Sequence, residues 1–230
     1  MELLIAMAIM SIISAMILVS WFALSRSYSY SVTSNKSREF ARDGMARLER
    51  EIRDTQDNAA TSDVGLLRAR VRTIAIETSF NVDGNEDPTS PPRLVVFRLY
   101  PDGELWRFYD SDGDGQIELD GGAAYLDLSQ DGWPANPYDA DEPDRVTDGK
   151  MLLVRNVVND KVPSVGSPTP LFRYSYYESD GDLVQDTTVL GKDNRAKVVA
   201  VQINLLVDLN PARSPVYTEL QTTAHLRNQQ

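Results

Sequence analysis

The chain has 230 residues, with 23 Lys+Arg against 34 Asp+Glu and a formal net charge of −11, a balance that argues against a general nucleic-acid binder. It contains no cysteine, which excludes thiol catalysis, zinc–thiolate sites and a disulfide framework and leaves the redox compartment undetermined. Its length suffices for one anchor and one well-filled domain, or two small ones, without covalent staples.

Residues 3–24 form an apolar run interrupted only by Ser11, Ser14 and Ser20. About 20 such residues suffice to cross a bilayer as a helix. Glu2 stands at the edge of the run, where a carboxylate costs on the order of a few kcal/mol unless it snorkels, pairs or is neutralised. Two readings follow: an interfacial residue at the membrane surface, or a residue that awaits a partner such as a neighbouring subunit's free amino group. The run is longer than a usual signal-peptide core and no basic residue precedes it, so cleavage after it is not expected. Arg26, Lys36 and Arg38 on its C-terminal side would by the charge rule hold the bulk of the chain inside the cell. That conflict with an exported domain disappears if a basic leader once preceded Met1.

From residue 25 to 57 the pattern stays helical and free of proline. Ala41, Met45, Leu48 and Ile52 recur at intervals of three and four and mark one apolar stripe, with Arg42, Arg47, Glu49, Arg50 and Arg53 around the remainder. A single helix from Glu2 to about residue 57 would be roughly 80 Å long, half in lipid and half amphipathic. Trp21, Phe22, Tyr28 and Tyr30 read as an interfacial aromatic belt. Gly44 reads as a place of close packing rather than a hinge.

Beyond residue 57 the periodicity changes to two. Leu67, Ala69, Val71, Thr73 and Ala75 alternate as one strand, and 94–100 with 104–109 flank the turn Pro101-Asp102-Gly103 as a hairpin. Further strands are expected at 151–158, 171–177, 196–208 and 216–226. Polar loops rich in Pro and Gly separate them at 81–92, 110–149 and 159–170. The expected architecture is α+β: residues 1–25 a transmembrane half of the helix, 26–57 its amphipathic half, and 58–230 a β-rich head whose antiparallel sheet carries that half.

The stretch Glu2-Leu3-Leu4-Ile5-Ala6-Met7-Ala8-Ile9 resembles the start of type IV pilins and of type II secretion pseudopilins. Their precursors read Gly, Phe-Thr-Leu, one variable apolar residue and then Glu-Leu-Leu-Ile-Ala. Met1 would hold the variable place, so the sequence resembles a precursor that lacks its basic leader, the cleavage-site glycine and the first three mature residues. Residues 38–56, with Met45-Ala46-Arg47-Leu48-Glu49-Arg50-Glu51-Ile52-Arg53-Asp54, are further similar to the J class of pseudopilins and the W class of pilus proteins. The rest of the chain is similar by architecture alone. The resemblance implies a pilin-like fold, other pilin or pseudopilin subunits and the inner membrane as partners, and processing by a prepilin peptidase. It also implies that Glu2 pairs with the methylated N-terminal amine of an adjacent subunit, which in lipid relieves the burial of both charges. The chain lacks the proline that many major pilins carry in the membrane half, in keeping with a minor subunit.

The acidic excess is local: residues 102–148 hold 14 acids against Arg107 and Arg145. Within them Asp110-Ser111-Asp112-Gly113-Asp114-Gly115-Gln116-Ile117-Glu118-Leu119-Asp120 places carboxylates at alternate positions. Such oxygens converge on a hard cation, Gly115 permits the sharp turn, and the Gln116 carbonyl can face inward. Asp110, Asp112, Asp114, Gln116, Glu118 and Asp120 are the candidate calcium ligands. Gly121 stands where an EF-hand has its bidentate glutamate and no helix follows, so Asp120, Asp127 or Asp131 would supply the missing oxygen. The alternative is a solvated acidic turn. A bound ion would offset the repulsion and order a loop of low apolar content. The shorter Glu178-Ser179-Asp180-Gly181-Asp182 reads as a hairpin.

Catalysis has little support. His225, the one histidine, lies among Thr222, Thr223 and Arg227 in a strand setting that suits a structural or exposed role, and no phosphate loop, paired histidine or nucleophile motif is present. Asp110 and Asp112 lack an apolar pocket to separate their pKa values. Together with this, the resemblance implies a non-enzymatic minor pilin or pseudopilin that initiates or caps a filament, with a calcium-stabilised head, anchored in the inner membrane with the head outside the cytoplasm. Alternatives are a single-span surface binding protein that never polymerises, and a major pilin.

Overall fold

Nothing between residues 2 and 53 breaks a helix, and α1 (Glu2–Arg53) runs unbroken for 52 residues in the computed structural model, roughly 78 Å at 1.5 Å per residue. The structure describes residues 2–55, 65–78, 93–112, 117, 149–159, 169–178, 180–186, 190–209 and 217–226, with Glu2 and Lys192 described by their backbone alone. The helix ends in a tightened turn. The Thr55 amide and hydroxyl both donate to the Ile52 carbonyl, at 3.2 and 2.6 Å, while Arg50 and Arg53 lie at the negative end of the helix dipole.

Five strands form an antiparallel meander in chain order: β1 (Leu66–Ala69), β2 (Thr73–Thr78), β3 (Arg93–Leu99), β4 (Leu105–Tyr109) and β5 (Gly149–Val154). A second antiparallel sheet is built from β6 (Phe172–Tyr177), β7 (Leu183–Asp186), β8 (Val198–Asp208) and β9 (Tyr217–His225), in the order β7-β6-β8-β9. The short α2 (Lys192–Arg195) leads into β8. The layout is α+β, with two antiparallel sheets where one was expected. Asn156 takes a left-handed backbone (φ 59°), which asparagine tolerates, and Val157 then pairs with Val207 of β8.

The expected single strand over 67–75 is a hairpin. The Arg70 amide donates to the Thr73 carbonyl at 3.0 Å, and the turn is held from outside: the Val71 carbonyl accepts from both Leu171 and Phe172 at 3.1 Å. A register shift between Leu66 and Arg68 also breaks the alternation. Leu66 and Ala69 face the main core, with Ile74 and Ile76, while Leu67 packs with Ala75 on the opposite face. The expected hairpin over 94–109 is present as β3 and β4, with Leu99 opposite Leu105. Its turn needs glycine at position 103, where φ is 92° and a Cβ would lie 2.6 Å from the Val157 carbonyl oxygen. The expected loops 81–92, 110–149 and 159–170 fall mostly outside the described residues.

One core unites both sheets and the helix. Leu48 and Ile52 of α1, Phe97 of β3, Leu153 of β5, Phe172 and Tyr174 of β6 and Val201 and Ile203 of β8 are buried together. Each large aliphatic or aromatic side chain so placed contributes about 1.5–3 kcal/mol. Asn159 ties the layers at their far end. Its Nδ2 donates to the carbonyls of Asn204 (2.7 Å) and Thr169 (3.2 Å), and its Oδ1 accepts from the Leu206 amide (2.9 Å).

Candidate functional site

The helix divides into zones by what surrounds it. Residues 3–29 are exposed throughout; among them Leu3, Ile9, Leu18, Trp21 and Leu24 present their apolar surface to solvent. One helix near the N-terminus is thus long and apolar enough to cross a membrane. An apolar surface of this extent, exposed throughout residues 3–24 of the helix, calls for lipid or for other helices. Glu2 is the first residue of this helix, and its side chain lies outside the described part of the structure.

Burial begins at Ser34, and Ala41, Met45, Leu48 and Ile52 are all buried, as their spacing predicts. At Gly44 the helix packs closely against β5 of the first sheet. A Cβ there would lie 2.6 Å from Val154 Cγ2 and 2.7 Å from the Leu153 carbonyl oxygen, so the close-packing reading of this glycine holds.

Between these apolar contacts sits an ionic one that the sequence reading passed over. Glu51 is fully buried. Its Oε1 accepts from Arg47 Nε at 2.9 Å and its Oε2 from Arg107 Nε of β4 at 2.8 Å. The Arg107 side chain is also fully buried, and its guanidinium lies 4.7 Å from the centre of the Tyr109 ring. Burial pulls the Arg107 pKa below its ordinary value, against the opposing pull of Glu51. Among the described residues, Arg107 Nη1 and Nη2 and Arg47 Nη2 find no hydrogen-bond acceptor, although Arg47 Nη1 approaches Met151 Sδ at 3.0 Å. A signal was present in the spacing: Ala41, Gly44, Leu48, Glu51 and Thr55 recur at alternate intervals of three and four, so Glu51 occupies a core position.

Of the candidate calcium ligands, Asp110 and Asp112 are described. Asp110 is buried and its amide donates to the Leu94 carbonyl at 3.0 Å, extending the β3–β4 ladder by one residue; Asp112 is exposed. Asp114, Gln116, Glu118 and Asp120, with Asp127 and Asp131, lie outside the described residues. Ile117, in the midst of the motif, is fully buried with Leu94, Val96, Tyr100 and Phe108. Ile117 thus lies on the face of the first sheet turned away from the helix. Among the described residues no three His, Asp or Glu side chains cluster to hold a metal.

The shorter acidic turn is the β6–β7 hairpin. The Glu178 amide donates to the Asp182 carbonyl at 2.9 Å, Gly181 has φ 88°, and Asp180 Oδ1 accepts from the Asp182 amide at 3.1 Å. Asp180 therefore serves the turn itself. His225 is exposed on β9, opposite Ala200. No protein-family model matches the chain, and no curated protein is significantly similar to it.

Proposed function

We propose that this chain is a non-enzymatic, membrane-anchored subunit of pilin or pseudopilin type, which assembles through its N-terminal helix and carries a β-rich head outside the cytoplasm. The observation that supports it most is the single unbroken α1, whose first half is apolar and exposed while its second half is built into the head. A helix of that kind joins the head to whatever surrounds residues 3–24, first lipid and then the equivalent helices of neighbouring subunits. Glu2 fits the resemblance to the pilin N-terminal motif as the group that pairs with an adjacent subunit's amine, and a prepilin peptidase would be the processing partner. A minor subunit that initiates or caps the filament suits the absence of proline in the membrane half.

Calcium is the proposed ligand of the acidic turn at Asp110 and Asp112, with Asp114, Gln116, Glu118 and Asp120. The spacing of the oxygens and the seating of Ile117 support this. The deciding experiment for the function is peptide mass spectrometry of the native membrane fraction. A methylated residue three places upstream of Met1 is the expected outcome. A chain that begins at Met1, or that keeps an uncleaved leader, would move the assignment to a single-span surface protein that does not polymerise.

A further inference from the structure

Residues 25–33 lie in α1 between its apolar zone and its buried zone, and seven of the nine are exposed. Upstream, the low dielectric of lipid would enforce every helical hydrogen bond, because no water competes for the backbone. Downstream, the stripe from Ala41 to Ile52 is locked into the core. Within 25–33 every residue is exposed except the half-buried Tyr30 and Val32.

The composition of this zone is equally distinctive. It reads Ser25-Arg26-Ser27-Tyr28-Ser29-Tyr30-Ser31-Val32-Thr33, so serine stands at every second position, the period of a strand rather than a helix. Serine, threonine, tyrosine and valine are all mediocre helix formers, and Arg26 is the one good helix former among the nine. No acidic residue occurs between Glu2 and Glu39, so Arg26 has no i,i+4 ion pair to support it. The Ser29 hydroxyl already competes for the backbone, donating to the Ser25 carbonyl at 2.9 Å. Compounded over nine residues, the deficit relative to alanine is a factor on the order of 10³. That is the same order as the roughly thousandfold penalty for interrupting a helix and restarting it.

We infer that residues 25–33 are an articulation: the helix opens and recloses there in the intact protein, so that the head turns relative to the membrane-embedded half. Lipid and core packing hold the two flanks helical, and the opening is confined to the serine-rich zone between them. A head displayed this way meets a partner, or a growing filament, over a range of orientations before it docks. The inference rests on the membrane-anchored reading of residues 3–24, which fractionation tests separately: recovery of the full chain in the soluble fraction would overturn that reading and leave the exchange measurement below to stand or fall by itself.

The test uses the full chain in lipid nanodiscs and hydrogen exchange read by mass spectrometry. Amides of residues 29–33 are expected to exchange at least about a hundredfold faster than those of 45–52. Protection within about threefold of that of 45–52 would overturn the articulation. Replacing the four exposed serines together (Ser25→Ala, Ser27→Ala, Ser29→Ala and Ser31→Ala) should raise protection in the zone about tenfold or more without touching the head, and unchanged protection would overturn the stated cause. The chain has no cysteine, so spin labels at Trp21→Cys and Arg42→Cys report one distance without background. A broad distribution is expected, whereas a single narrow peak near 32 Å, about the span of a straight helix between those positions, would overturn the inference.

Discussion

Glu51 of α1 and Arg107 of β4 are joined by a hydrogen-bonded ion pair of 2.8 Å in which neither side chain reaches solvent. The pair fixes the rotation of the helix about its own axis, because Glu51 reaches Arg107 from one face only and Arg47 closes on its other oxygen at 2.9 Å. Glu51→Ala strands a buried guanidinium and is expected to destabilise the head by about 3–5 kcal/mol. The double replacement Glu51→Leu with Arg107→Met should recover most of that loss, since matched apolar side chains avoid the desolvation of both charges. Urea denaturation of the full chain in detergent, followed by tryptophan fluorescence, reads both; equal losses in the single and double variants would contradict the pairing.

Gly44→Val puts side-chain atoms where Val154 and the Leu153 carbonyl now stand, and is expected to cost about 1–3 kcal/mol as the helix is pushed off β5. Gly44→Ala would gain about 1 kcal/mol of helix propensity at an open site, so a net loss in its melting temperature identifies the close approach. A gain would show that the two elements have slack.

Asn159→Ala removes two donors and one acceptor that join the post-β5 segment to β8 and to Thr169. The expected loss is about 2–4 kcal/mol, the sum of buried hydrogen bonds and the unsatisfied groups they leave. Thermal unfolding checks the size, and amide exchange at Leu206 checks the location.

Tyr174 is fully buried and its hydroxyl donates to the Arg70 carbonyl at 2.7 Å. Burial holds its pKa well above the ordinary value. The folded state therefore keeps this proton where the unfolded chain releases it, so the stabilisation is complete below about pH 10 and falls as the pH rises toward the folded pKa. The midpoint of urea unfolding should drop above about pH 10. In Tyr174→Phe the alkaline drop should shrink, with a loss of about 1 kcal/mol at neutral pH from the missing hydrogen bond.

The calcium proposal predicts that the full chain in detergent melts about 5–10 °C higher in saturating calcium than in chelator, the shift that binding at a hundred times Kd gives a protein of this size. Asp112→Asn should shrink the difference, and identical melting curves in the two buffers would rule the site out.

How legible these features are in the sequence depends on where their stabilising partners lie. The stripe of Ala41, Met45, Leu48 and Ile52 and the hairpin around Pro101-Asp102-Gly103 are encoded locally, by helical period and by turn residues, and both appear in the structure. The turn at Arg70-Val71-Arg72 has neither glycine nor proline, and its Val71 carbonyl is claimed by amides a hundred residues away. No local pattern announces it. The pairing of Val157 with Val207, which links the segment after β5 to the second sheet, is again long-range. At the candidate ligand sites the sequence supplies the spacing of carboxylates, while the burial of Ile117 depends on Phe108 and Leu94 from the strands of the first sheet. Glu51 escaped notice because a charged residue in an apolar stripe looks like its edge until the opposing arginine is seen.

The hydrogen bond from Thr222 of β9 to Glu49 of α1 spans 173 residues of sequence, and it bears on the order in which the molecule is made. The helix leaves the ribosome before the head, yet a strand that closes over it, β9, is the last in chain order among the described residues. Throughout synthesis the inner stripe of Leu48 and Ile52 therefore waits for strands not yet translated. Contacts of such long range make folding slow, and apolar surface left exposed until they form is prone to mispairing.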